Sequence, residues 1–187
     1  MHFVDFMHDD VYDEEGILVS EAPKLYEPAG TIADLVPRVV VFLAAHNEEI
    51  LAKKMNLVLF KGARAHMLHI SRIIGMPRGN ALLVGVGGSG KQSMTRLAAY
   101  TARHRIFQIT LNKSYNTNSL LDDLRDLYKY TGHLGKQCTF IFTDSEIKDE
   151  EFLEYLNSVL LTGEVPGLFP KDELGLMASE LRPAFLK

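Results

Sequence analysis

Leu59, Ala63, Met67, Ile70 and Ile74 recur at spacings of three and four, the stripe of an amphipathic helix that Gly75 and Pro77 bring to a stop. Upstream, a helix is predicted over about 35–52. Thr31 and Asp34 are spaced to cap it, and Pro37 moves its expected start toward Val36. Downstream the pattern alternates. A short apolar run at 80–85 reads as a strand, 91–103 as a helix and 105–111 as a second strand. Ser119 with Asp122 opens another helix, with Leu120, Leu124, Leu127 and Tyr128 inward and an end near Gly132. Thr139–Thr143 reads as a third strand. A helix over about 149–161 follows, burying Phe152, Leu156, Val159 and Leu160. Strands alternating with helices predict an α/β fold, a parallel sheet covered by helices in a three-layer αβα sandwich. Residues 1–30 show no period, carry Pro23 and Pro28, and read as an acidic N-terminal arm or linker ahead of one domain over 31–187.

Composition changes this picture little. The chain of 187 residues, 47% hydrophobic and 24% charged, is large enough for a real core and ordinary for a globular one. A net charge of −4 supplies no global pull toward nucleic acid, so none is expected as a partner. The longest apolar run, Val39 to Ala45, is too short to cross a membrane. The first residues carry Asp5, Asp9 and Asp10 and no basic stretch, unlike a secretory signal. The lone Cys138 forbids an internal disulfide, fits a reducing compartment such as the cytoplasm and is expected to be buried and inert. The acids Asp9, Asp10, Asp13, Glu14 and Glu15 read as a solvated face rather than a metal site. His66 and His69 lie three apart on a predicted helix, but no further ligand pattern supports a metal pair.

The chemistry concentrates at Gly85-Val86-Gly87-Gly88-Ser89-Gly90-Lys91, between the predicted strand and helix. Strand, glycine loop and helix in that order form the setting of a phosphate-binding loop. Glycines let backbone N–H groups turn inward around an anion, the helix N-terminus adds partial positive charge, and Lys91 adds a full one. Gly85, Gly87 and Gly90 also fit the dinucleotide spacing G-x-G-x-x-G. That reading wants an acid at the end of the next strand, where Asn112 stands, and it leaves Lys91 without a task. The phosphate-loop reading is therefore preferred, with Gly85, Val86, Gly87, Gly88, Ser89, Gly90, Lys91, Gln92 and Ser93 as nucleotide-binding residues. Gln92 stands where a Ser or Thr would ligate magnesium, and Ser93 is the nearest substitute, turned about 100° around the helix. Asp144 and Glu146 follow the third strand, where such proteins carry the acids that hold magnesium or polarise water, and are the catalytic candidates. Ser93 and Asp144 are the candidates to hold magnesium. The competing reading is that acids after a strand cap the next helix. Asn112-Lys113-Ser114-Tyr115 begins like the guanine motif N-K-x-D but ends on Tyr115, which leaves adenine, and ATP, as the default.

The run Gly79–Ser93, with Phe107–Ile109, Ser114–Thr117, Phe140–Asp144, Phe152–Tyr155 and Gly163–Phe169 followed by Asp172 and Glu173, resembles the fourth AAA+ module of axonemal dynein heavy chains. The resemblance spans about residues 60–175 in order. It implies an ATP-binding P-loop NTPase module in a ring of neighbouring AAA+ modules, part of a microtubule motor of the cilium axoneme and its cytoskeleton. Microtubules would be reached only through parts outside this chain, and an arginine finger would come from a neighbouring module. It also implies that Asp144 stands at the catalytic-glutamate position and Thr143 at the metal-binding aspartate position. One acid of the usual pair is then lost, and a regulatory site with weak or no hydrolysis is expected. No match to the sensor strand, lid, stalk or microtubule-binding tip follows, so a truncated module is expected. Two alternatives remain at this point: an active stand-alone ATPase using Lys91 and Asp144, and a structural piece that binds no nucleotide.

Overall fold

The computed structural model describes residues 2–51 and 54–185, with the side chains of 184 and 185 left aside. The chain forms two compact units, 1–104 and 105–187.

The first unit is built on three helices, α1 (Ile32–Glu49), α2 (Lys61–Ile74) and α3 (Lys91–Thr101). α1 begins at its Thr31 cap, where Asp34 Oδ2 accepts from Thr31 N–H at 2.8 Å and from Thr31 Oγ1 at 2.7 Å. Pro37 is carried inside the helix, in its second turn. The cap thus sets the start four residues before the position that Pro37 suggested. The stripe of α2 is buried as its spacing predicts, with Ala63, Met67 and Ile70 each under 5% exposed. Leu35 and Val39 of α1, Met67 and Leu68 of α2 and Leu97 of α3 share one cluster, and Ala63, Ile70, Met94 and Ala98 another. In the last turn of α1, the Asn47 side chain donates to Met55 O at 2.9 Å and accepts from Met55 N–H at 2.8 Å. His66 and His69 are both exposed on α2.

Residues 2–30 pair as two short antiparallel ladders, β1 (Phe3–Val4) with β4 (Glu27–Pro28) and β2 (Val11–Tyr12) with β3 (Leu18–Ser20). Val4, Phe6 and Ala29 belong to the same cluster as α1. Arg38 ties this segment to α1: Nε donates to Phe6 O at 3.0 Å, Nη2 to His8 O at 2.7 Å, and Nη1 pairs with Asp9. The acids expected as a solvated face are therefore partly engaged. Asp10 pairs with Arg103 and accepts from Ala22 N–H at 2.6 Å, and Asp13 closes its own turn on Glu15 and Ile17.

The second unit holds a parallel pair, β5 (Arg105–Phe107) and β6 (Cys138–Phe140). Around it lie α4 (Thr117–Tyr128), α5 (Glu151–Leu161) and α6 (Lys171–Phe185). Leu120, Leu124, Leu127 and Phe152 pack with Ile109, Tyr115, Val165 and Leu168, and Phe107 and Phe140 border this core. Cys138 is half-buried, and burial pushes its thiol up, away from a reactive thiolate. α6 was not read from the sequence. It is joined to a π-helical turn at Lys129–His133 by Lys129–Glu173 at 2.7 Å and His133–Glu180 at 3.3 Å.

The α/β class with parallel pairing stands, and the strand expected at 80–85 is the correction. The backbone from Ala81 to Val86 joins no ladder among the described residues, and Leu82 and Val84 are 90% and 86% exposed. A strand exists only through its neighbour's hydrogen bonds, and an apolar run by itself does not name that neighbour.

Candidate nucleotide-binding site

Gly79 begins the segment that leads into the loop. A Cβ there would lie 1.8 Å from Ile73 O at the end of α2, so only glycine lets the chain leave that helix so closely. The turn itself is set by Gly88 (φ +73°) and Gly90 (φ +79°), both left-handed, and Gly90 is the N-cap of α3. α3 then starts at Lys91 with the first-turn amides of Lys91, Gln92 and Ser93 pointing back toward the loop, as in any helix start. Ser89 N–H reaches Val86 O at 3.4 Å. The amides of Gly87, Gly88 and Gly90 donate to no acceptor among the described residues.

Lys91 curls over this loop. Its Nζ donates to Gly85 O at 2.7 Å and Val86 O at 2.8 Å, with Ser89 Oγ at 3.4 Å. The ammonium is thus held at the loop rather than extended into solvent. Those partners, two carbonyls and a hydroxyl, are neutral, and a charged phosphate oxygen makes the stronger bond to an ammonium. Gly85 to Ser89 and Gln92 are exposed, while Gly90, Lys91 and Ser93 are partly buried. Unclaimed amides, a left-handed turn and an ammonium against carbonyls make a set that fits a polyphosphate. The fit to magnesium is poorer, since Gln92 has no hydroxyl.

The candidate acids belong to the second unit. Thr143 leads into a 3₁₀ turn, Asp144–Glu146. Glu146 is 5% exposed, and both its oxygens are engaged: Oε2 accepts from Thr143 N–H at 2.5 Å, and Oε1 from Gln108 Nε2 at 2.6 Å. This is the capping arrangement that competed with catalysis in the sequence. Asp144 is exposed, and its carboxylate makes no hydrogen bond or ion pair among the described residues. Thr143 Oγ1 and Ser145 Oγ share a hydrogen bond at 2.8 Å. Of the four polar side chains at this strand end, Thr143, Asp144, Ser145 and Glu146, Asp144 alone offers an unengaged charge among the described residues.

Two residues to which the sequence assigned no role organise this end of the sheet. Gln108 holds Glu146, and Lys148 Nζ donates to Tyr115 O at 2.6 Å, Lys113 O at 2.9 Å and Asn112 O at 3.4 Å. Gln108 lies in the Phe107–Ile109 run of the resemblance and Lys148 in none, and a contact 33–38 residues away leaves no local signal of either role. Tyr115 donates its hydroxyl to Asp123 at 2.5 Å; burial first, then that carboxylate, push its phenol well above the usual range.

Residues 55–186 match the family described as P-loop containing dynein motor region D4. The chain is similar to dynein axonemal heavy chain 5 of Mus musculus, 52% identical over 190 residues that cover all of this chain and 4% of that protein. Dynein axonemal heavy chain 8 of Homo sapiens is 52% identical over 176 residues, 92% of this chain and 4% of that protein. The dynein-1-beta heavy chain of the flagellar inner arm I1 complex of Chlamydomonas reinhardtii is 52% identical over 130 residues, 70% of this chain and 3% of that protein. The chain therefore spans only a few hundredths of the length of the relatives it matches. With its phosphate loop, its parallel pair and this match over most of its length, the chain belongs to the P-loop family of dynein motor region D4.

Proposed function

We propose that this chain is the nucleotide-binding part of a fourth AAA+ module in a dynein-type microtubule motor, that it binds ATP, and that it serves as a regulatory site with weak or no hydrolysis. The observation that carries the reading is the ammonium of Lys91 over the Gly85–Ser89 turn, 2.7 and 2.8 Å from two neutral carbonyls. The likeness to axonemal heavy chains supports a place in the cilium axoneme, within a ring of neighbouring AAA+ modules.

Within this reading the amides of Gly87, Gly88 and Gly90 cradle the phosphates, and Lys91 exchanges its carbonyl partners for phosphate oxygens. ATP would supply the phosphoanhydride and magnesium would supply charge neutralisation; Ser93 of the first unit and Asp144 of the second are each candidates to hold magnesium. Asp144 is the carboxylate free to orient a water. Glu146 positions Thr143 rather than reacting, because both its oxygens are engaged. Thr143 offers a hydroxyl where a second carboxylate would strengthen metal binding, and Gln92 offers no hydroxyl. Both departures weaken turnover more than binding, since loop amides and Lys91 hold phosphate without the metal.

Titration with labelled ATP, with and without magnesium, followed by a phosphate-release assay, tests this. Saturable binding with little release is expected, and Lys91→Ala should cost about 1.5–3 kcal/mol of affinity, the range for charged hydrogen bonds. An affinity unchanged by Lys91→Ala removes the loop from the site. Magnesium-dependent turnover abolished by Lys91→Ala instead establishes an active ATPase.

A further inference from the structure

α6 (Lys171–Phe185) is held to the second unit differently from α4 and α5. Those two helices bury Leu120, Leu124, Leu127 and Phe152 in one core, whereas α6 contributes no buried residue among the described ones. Glu173, Met177 and Leu181 are half-buried along one face, and Leu174 and Leu176 are exposed. Its attachments to the π-helical turn are electrostatic. Lys129 Nζ lies 2.7 Å from Glu173 Oε1, and His133 Nε2 lies 3.3 Å from Glu180 Oε2, an ion pair when the imidazole is protonated. Glu173 and Glu180 are two turns apart on one face of α6, and Lys129 and His133 are the two ends of the π-helical turn. Neither contact holds the helix strongly. All four side chains are 29–52% exposed, where water screens the attraction and little stability remains. His133 Nδ1 is buried without a hydrogen-bond partner, a cost that the docked arrangement bears. Within α6, Gly175 and Pro183 weaken the helix, Pro183 by removing a backbone N–H. A helix of 15 residues carrying both is marginal away from a packing surface.

We propose that α6 is a strap, docked on the π-helical turn through the Lys129–Glu173 and His133–Glu180 contacts, which lifts away and unwinds when they are screened or broken. The core that α4 and α5 form with the β5–β6 pair stays intact, because α6 supplies none of it. Lifting frees the half-buried Met177 and Leu181 and uncovers the Lys129–His133 turn. The step is a local order–disorder transition of one element, set by charge at Lys129 and Glu173.

The test is amide hydrogen exchange of the full chain, read by mass spectrometry at about 50 mM and about 500 mM sodium chloride, with α4 as the internal reference. At low salt, α6 should be protected but exchange faster than α4. At high salt its exchange should rise at least about threefold relative to α4. Lys129→Gln should give the fast exchange already at low salt and abolish the salt response. Lys129→Glu combined with Glu173→Lys should restore protection. If Lys129→Gln disturbs α4 as well, Glu173→Gln, which alters α6 alone, decides the matter. An α6 as protected as α4, or unprotected at low salt, overturns the proposal. So does a salt response that Glu173→Gln leaves in place, or a charge swap that fails to restore protection.

Discussion

Asp10 and Glu146 show how much a single carboxylate's role depends on its neighbours. Asp10 stands in an acidic run that reads as a solvated face, yet the Ala22 N–H at 2.6 Å, and after it the Arg103 guanidinium, hold its carboxyl below the usual range. A lowered pKa in the folded state favours the charged form there. Its stabilising contribution is therefore present above the unfolded value of about 3.9 and is lost as pH falls through the lower folded value. Asp10→Asn should be less stable than the parent chain near neutral pH, with the gap closing on acidification below about pH 4. Urea denaturation across that range reads the gap, and one that stays constant with pH removes Asp10 as its source. Glu146 illustrates the converse. Its place after the third strand was legible, but its burial and its partner Gln108 were not, because they come from a residue 38 positions away.

At the scale of elements, local chemistry was read best where it is self-contained. Thr31 with Asp34 starts α1, Gly90 starts α3, and the three-and-four spacing of α2 became its buried face. The start of α4 shows a finer version. Asn116 Oδ1 accepts from Ser119 N–H at 3.2 Å and Ser119 Oγ at 3.4 Å, while Ser119 Oγ faces Asn116 N–H at 3.4 Å. The sequence suggested Ser119 as the cap, and the structure moves it to Asn116, three residues earlier. Asn116→Ala should then cost about 1 kcal/mol in equilibrium denaturation. A value near zero would show that the core contacts of Leu120 and Leu124 hold this end without the cap. The strands fared differently: the expected 105–111 and 139–143 contract to Arg105–Phe107 and Cys138–Phe140. Apolar runs mark where a strand is possible, whereas its length is set by how far the neighbouring ladder extends.

For the whole molecule, the consequence of the unpaired 81–86 segment is exposed surface. Leu82, Val84 and Val86 are 79–90% exposed on a stretch whose backbone joins no ladder among the described residues. Apolar extended segments with free hydrogen-bonding edges recruit other chains. The isolated chain should self-associate, and Leu82→Lys with Val84→Lys should reduce that association in sedimentation velocity while leaving far-UV circular dichroism unchanged. A parent chain that remains monomeric at high concentration contradicts this. The sequence alone determined the helices α1 to α5, the glycine loop with Lys91 and the family, because caps, glycine spacing and periodic apolar stripes act between residues close along the chain. Only the tertiary structure decided which acid is unengaged and which run becomes a paired strand. Those outcomes depend on contacts between residues tens of positions apart, where no local pattern records which partner each group meets.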